Sequence, residues 1–293
     1  MSKSVAFYGF LESVLPRTTL WRLGRFLYLG ARRELKNNPE TNGEYALLRS
    51  FLARLGGQTG PATVCDIGAN FGHWSIEAIA AAESSGLTLD LHLFEPAPDQ
   101  RKRLEGNLAS IDTTRHSYTV HEAALADQDG ELPFAITGSD SGNSALLAGD
   151  AQGDASVITV PVTTLDALMK AKGIERVAFA KVDTEGNDFN VVLGAQDAFS
   201  RKAIAVMQIE YNWRWLDFGH FLKKVFTLVQ PLGYRIGKVT GHGVEFYDQW
   251  HPELDRMIET NFVIVDEQCA DLVEGTRYKF AKANVPQAIK GTQ

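Results

Sequence analysis

The sequence predicts an open α/β fold, a mostly parallel sheet with helices on both of its faces, and three observations carry that expectation. From residue 61 onward, short β-branched and apolar runs alternate with helical stretches, as parallel strands joined by crossover helices do. The run at 64–75 passes from a strand through a glycine turn into a helix. The last two strand candidates have the hairpin-like order of an antiparallel strand closing the edge of such a sheet.

The elements follow in order. Residues 1–36 carry seven basic side chains against Glu12 and Glu34, a balance of +5 that leaves −12 for the rest of a chain whose net charge is −7. At about 100° per residue, Arg22, Arg25, Arg32 and Arg33 share an arc of roughly 100°, with Leu20, Leu23 and Leu27 on another side, so the spacing predicts a basic amphipathic helix. The plainer expectation for it is packing on the main domain or on a second subunit of a homo-oligomer. Docking on an anionic membrane or a lipid-linked glycan is the alternative. Pro39 then punctuates the chain.

Strands are expected at Thr63–Gly68, Leu89–Glu95, Ser117–Ala124, Arg176–Asp183 and Ala203–Glu210. Helices are expected between them at Phe71–Ser84, Pro98–Ala109, Leu165–Ala171 and Asn187–Ser200. An insertion interrupts the alternation, with a hairpin of Glu131–Ile136 and Val157–Val162 around a Gly/Ser/Asp-rich stretch, Thr137–Ser156, too poor in apolar residues to pack and so expected to be mobile. A helix at Phe218–Val229 and strands at Tyr234–Val239 and Asn261–Asp266 bring the expected sheet to seven strands. The expected organisation is a helical extension over 1–44, one domain over 45–270 and a C-terminal tail over 271–293.

Composition bounds the function. With 44% hydrophobic and 22% charged residues, 26 Gly and 10 Pro, the chain is ordinary globular material, neither collagen-like, nor largely disordered, nor a simple repeat. The acidic balance disfavours a nucleic-acid partner, which would need a basic surface. Cys65 and Cys269 lie far apart with no CxxC or Cys/His cluster, so neither a disulfide framework nor a structural zinc site is indicated, and no His or carboxylate spacing demands a divalent metal beside Asp183, so no metal is expected. No apolar run approaches the ~18 residues of a membrane span, and the start lacks a cleavable secretory signal. The expected location is cytoplasmic, peripheral at a membrane if the basic helix docks there.

Three strand ends carry chemistry. The turn after Asp66-Ile67-Gly68 puts backbone N–H groups and a helix N-terminus against a ligand. A pyrophosphate-binding turn wants glycine where Asn70 and His73 stand, which weakens a nicotinamide dinucleotide. S-adenosylmethionine, with no phosphate but an ammonium for Asp66 to face, fits better. Glu95, ending the next strand in Phe94-Glu95-Pro96, suits the two hydroxyls of a ribose. Asp183 and Glu185, in Lys181-Val182-Asp183-Thr184-Glu185-Gly186, point into the same crevice and could position a hydroxyl or accept its proton. The plain alternative makes these acids helix caps, a role that suits Asp188. Glu210, leaving the fifth strand, would emerge opposite Asp183. Beyond it Trp213, Trp215 and Phe218 are either a substrate wall or core. His73, His220 and His242 are further candidates for a base.

In order and spacing these segments resemble the FkbM family of S-adenosylmethionine-dependent methyltransferases. The resemblance rests on Asp-Ile-Gly-Ala-Asn-Phe-Gly-His-Trp-Ser at 66–75, Phe-Glu-Pro-Ala-Pro at 94–98, Ala123–Asp127, Thr164-Leu165-Asp166 and Lys181–Gly186, and spans about residues 45–265. It implies a class I methyltransferase (Rossmann-like) fold and O-methylation of a hydroxyl on a sugar, glycan or secondary metabolite, a small-molecule or glycan acceptor. It also implies cofactor contacts at Asp66, Gly68, Ala69, Asn70, Phe71, Gly72, Ser75, Glu95, Pro96 and Ala124, while Asp183, Glu185 and Glu210 are the catalytic candidates that the strand ends themselves offer. At 188 the family more often has Glu than Asp. Two other readings remain beside it, a catalytically silent methyltransferase-like scaffold and a nicotinamide-dependent oxidoreductase.

Overall fold

The computed structural model describes residues 3–35, 37–137, 144–148 and 156–289. Four helices come first: α1 (Lys3–Val14), α2 (Arg17–Arg32), α3 (Pro39–Asn42) and α4 (Glu44–Leu55). Two crossover units follow, β1 (Ala62–Ile67), α5 (His73–Ser84), β2 (Leu89–Phe94), α6 (Pro98–Ala109) and β3 (Ser117–His121). The insertion holds β4 (Ala124–Leu125), β5 (Gly130–Ile136), β6 (Ala145–Leu146) and β7 (Ser156–Thr163). Next come α7 (Leu165–Lys172), β8 (Val177–Val182), α8 (Asp188–Leu193), α9 (Gln196–Ser200) and β9 (Ile204–Tyr211). The described chain ends with α10 (Lys223–Val229), β10 (Tyr234–Thr240), β11 (Gly243–Tyr247), β12 (Thr260–Asp266), β13 (Gly275–Phe280) and β14 (Pro286–Ala288).

The central sheet runs β14-β13-β11-β10-β12-β9-β8-β1-β2-β3. Its parallel part is β9 through β3, and β12 lies antiparallel between β9 and β10. The order reverses at β1, which pairs with β2 on one side and β8 on the other, so a crevice opens at the carboxyl ends of those three strands. Apolar clusters cover both faces. Leu48, Phe51 and Leu52 of α4 with Trp74 of α5 pack on one face, and Phe189 of α8 with Phe199 of α9 on the other. Adjacent strand residues serve opposite faces, Val64 one and Cys65 the other, as the pleat requires.

The fold class is the expected one, with differences that have local causes. Among the described residues the sheet has ten strands, because β11, β13 and β14 extend the expected seven at one edge, and the segment expected as a tail supplies two of them. The antiparallel strand sits inside the sheet, not at its edge. Ser117–Ala124 divides: β3 ends at His121, and β4 crosses into a second sheet of order β4-β7-β5-β6. Asn187–Ser200 is two short helices broken at Gly194, where a Cβ would stand 2.0 Å from the carbonyl oxygen of Ala126. The expected helix at Phe218 starts only at Lys223, after Gly219 turns the chain at φ +66°.

The hairpin of the insertion forms in register Gly130↔Val162. Within the stretch expected to be mobile, β6 pairs with β5 and buries Leu146, and most of the remainder lies outside the described residues. No helix among the described residues is long and apolar enough to cross a membrane.

Candidate active site

Two clefts open at the strand ends and share four residues. The first, about 520 Å³ counting space open to solvent, is lined by Phe94, Glu95, Pro96, Gln100, Ala124 and Leu125 on one side and by Asp183–Glu185 on the other. The second, about 1220 Å³ by the same measure, runs between the segment 37–45 and the ends of β1, β8 and β9. Gly68, Asn70, Asp183 and Glu185 line both.

The shared wall depends on a close approach of two turns. Gly68 adopts φ +82°, and a Cβ there would lie 1.9 Å from the carbonyl oxygen of Asp183, so only glycine lets the two loops touch. The N–H groups of Gly68 and Ala69 both donate to the carbonyl of Phe94, at 3.1 and 2.9 Å. Asn70 follows in the left-handed region at φ +49°, and its N–H donates to Glu95 Oε2 at 2.8 Å.

Glu95 also accepts the N–H of Ala97 at 2.9 Å. Burial pushes its carboxyl up to about 7, against the pull of those two amides. Each carboxylate oxygen retains a lone pair for a ligand. Gln100 Oε1 and Asn70 Oδ1 are buried with no hydrogen-bond partner among the described residues. Two orphaned acceptors and an acid fit a ligand rich in hydroxyl, amino and ammonium donors, which S-adenosylmethionine is.

The remaining expected cofactor residues are placed differently from one another. Asp66 lines neither cleft. It accepts from Ser75 Oγ at 2.6 Å, stands 3.8 Å from Lys181 Nζ, and burial raises its carboxyl. Ser75 is thus a support for Asp66 beneath the turn. Ala69 and Phe71 line the second cleft, not the first. Gly72 lines neither; it opens α5 at φ +79°, where a Cβ would meet Leu104 Cδ1 at 2.3 Å.

The three catalytic candidates do come together around the second cleft, in unlike states. Lys181, buried, pairs with Asp183 Oδ2 at 3.1 Å. Its burial disfavours the charge, but Asp183, Asp66 and Glu44 outweigh this and raise it, so it remains an ammonium. Glu185 is held at φ +57° by an ion pair with Arg214. Glu210 accepts from Asn212 Nδ2 at 2.8 Å. Burial, then the charges of Asp183 and Asp188, raise its carboxyl well above the usual range.

Asp188 is fully buried and ties the site together. It accepts from Thr184 Oγ1 at 3.1 Å, Gly186 N at 3.2 Å and Glu210 N at 3.2 Å, and burial pushes it up to about 7. Trp213 lines the second cleft, whereas Trp215 is core and donates Nε1–H to the Glu210 carbonyl. Phe218 packs beside the insertion sheet. His73 reaches the cleft, His220 is engaged with Asn190 and Lys224, and His242 lies in the turn between β10 and β11.

Sequence reasoning missed Glu44, Glu259, Gln100 and the role of Lys181. Glu44, at the start of α4, is buried on the second cleft and accepts from Asn261 Nδ2 at 3.3 Å. A lysine inside an otherwise apolar strand was the one available signal, since a buried ammonium requires carboxylates around it.

A model of the Methyltransferase FkbM domain matches residues 66–236, more than half of the chain. Among solved structures, the methyltransferase FkbM of Methylobacillus flagellatus KT aligns at 17% identity and TM-score 0.44, over 70% of this chain and 43% of that one. This chain therefore spans less than half the length of that relative. An S-adenosylmethionine-dependent methyltransferase of Agrobacterium tumefaciens aligns at 8% identity and TM-score 0.40, over 75% and 59%. A Streptococcus mutans protein in complex with SAH aligns at 8% and 0.43, over 79% and 99%. No curated protein matches.

Proposed function

Because the chain belongs to the FkbM methyltransferase family and its cofactor is S-adenosylmethionine, we propose that it methylates a hydroxyl oxygen of a sugar, glycan or secondary metabolite. The observation that carries this reading is the junction of the two clefts at Gly68, Asn70, Asp183 and Glu185. The first cleft would hold the donor, with Glu95 on its ribose and Gln100 on a further donor group. The second offers an acceptor the carboxylates of Glu44, Asp183, Glu210 and Glu259 and the exposed face of Trp213. Many hydrogen-bond acceptors with one aromatic face suit a polyhydroxylated ring.

When bound, S-adenosylmethionine supplies a methyl group on a sulfonium, ready for in-line displacement. The residues' main task is to hold the attacking oxygen about 3 Å from that carbon on the line of the breaking bond. Asp183, at the junction and paired with Lys181, is placed to take the hydroxyl proton. Glu210 lines the same cleft, and burial, which favours its neutral form, suits it to hydrogen-bond the acceptor rather than to hold a charge. Incubating the protein with methyl-labelled donor and a saccharide panel tests the reading. The expected product carries its label as an ether on a former hydroxyl, and label found only on nitrogen or carbon acceptors would refute it.

Glu95 sets a pH dependence of donor binding. A carboxyl titrating at about 7 goes from about one-tenth ionised at pH 6 to nine-tenths at pH 8. Ribose hydroxyls are accepted best by the anion, so donor affinity should rise by about tenfold over that interval. Calorimetry at the two pH values measures it, and Glu95→Gln should bind weakly and without the slope.

A further inference from the structure

The first two helices have no place in the methyl-transfer site. Among its described side chains α2 buries none. Trp21 is 68% exposed, Phe26 and Leu27 each 59%, and on α1 Phe7 and Phe10 are 63% and 60% exposed. Large aromatic and aliphatic groups left in water on one structural unit mark a contact surface. Helical spacing sets Leu20, Leu23 and Leu27 opposite Arg22 and Arg25, with Arg17 on the flank between them.

The arginines divide by position. At the end of α2, Arg32 pairs with Glu34 and with Glu253 at 3.2 Å, and the following Arg33 pairs with Glu245 at 3.0 Å. Those bonds fix the end of the helix to the domain. Arg17, Arg22 and Arg25 have no ion-pair partner among the described residues. The pattern is a helix latched at its C-terminal end, with three free cations beside an exposed apolar stripe.

We propose that α1 and α2 are an interfacial anchor that seats the protein on an anionic lipid bilayer. An amphipathic helix with arginines on its polar side and Trp, Phe and Leu exposed lies in the headgroup plane, where its apolar side leaves water and its cations meet lipid phosphate. Charge complementarity selects this occupant. The balance of +5 over residues 1–36 attracts the surface, and −12 over the remainder keeps the domain off it. A second copy docking through the same face would bring two cationic patches together. The anchor also adjoins the second cleft. Only three residues lie between Arg33 and Asn37, which lines that cleft, a chain length of at most about 14 Å.

Flotation of the full chain with vesicles tests this. It should rise with vesicles of equal parts phosphatidylglycerol and phosphatidylcholine and stay down with phosphatidylcholine alone. At about fivefold per arginine, the triple variant Arg17→Gln, Arg22→Gln, Arg25→Gln should bind on the order of a hundredfold more weakly. Trp21→Ala with Phe26→Ala should also weaken binding, which a purely electrostatic patch would not show. No binding to anionic vesicles, or unchanged binding by the triple variant, overturns the proposal. So does a self-associating protein that ignores vesicles and becomes monomeric when Trp21 and Phe26 are replaced.

Discussion

Asp183→Asn is expected to lower the rate of methyl transfer by about 10²- to 10⁴-fold, the range of a lost general base, with donor affinity changed only a few-fold. Asp183 lines both clefts, so it borders the space where donor and acceptor meet. Its backbone N–H bonds to the Ile67 carbonyl at 2.9 Å, a contact that asparagine retains. The amide keeps the shape and loses the proton acceptor. In free energy the loss corresponds to about 3–5 kcal/mol of barrier.

Glu210→Gln is the control. Burial favours the neutral form of Glu210, which glutamine mimics, so activity near neutral pH should fall by no more than a few-fold. Single-turnover measurements with calorimetry on both variants separate the roles. A Glu210→Gln loss as deep as that of Asp183→Asn would move the base to Glu210.

The parts of this site legible in the sequence were those built from consecutive residues. The strand, glycine turn and helix around Gly68 are local, because backbone conformation and the approach to Asp183 both demand glycine there. Glu95 was legible for the same reason, as the first residue after a strand. Asp66 was read as a ligand contact because residue order places it at a strand end, but order does not say which way a side chain turns. Its carboxylate turns beneath the sheet toward Ser75 and Lys181. Glu44 and Glu259 were out of reach, since they meet across the second cleft from positions more than two hundred residues apart. The extra strands were hidden for a different reason. Gly275–Phe280, one strand in from the sheet edge, has no fully buried residue, and such a stretch shows no strong apolar run.

Lys181→Met should destabilise the fold by about 3–5 kcal/mol at pH 8, the usual consequence of removing one partner from a buried charged group. The ammonium stands among Asp66, Asp183 and Glu44, and of these Asp66 is nearly inaccessible to water. Methionine fills the volume but leaves the carboxylates facing one another. Their charged forms are disfavoured by burial even with the lysine present, so Asp66 and Glu44 already titrate above their ordinary range. Without it they must rise further. An acid whose folded value lies above its unfolded value binds more protons in the folded state, so stability falls as pH rises between the two values. The deficit of Lys181→Met relative to the parent should therefore shrink as pH is lowered toward 5. Urea unfolding at pH 5 and pH 8 gives both numbers. Adding Asp66→Asn removes one of the stranded charges, and the double variant should recover part of the loss at pH 8 and little at pH 5. A deficit equal at both pH values would mean that Lys181 serves by packing alone and that the cluster of acids does not depend on its charge.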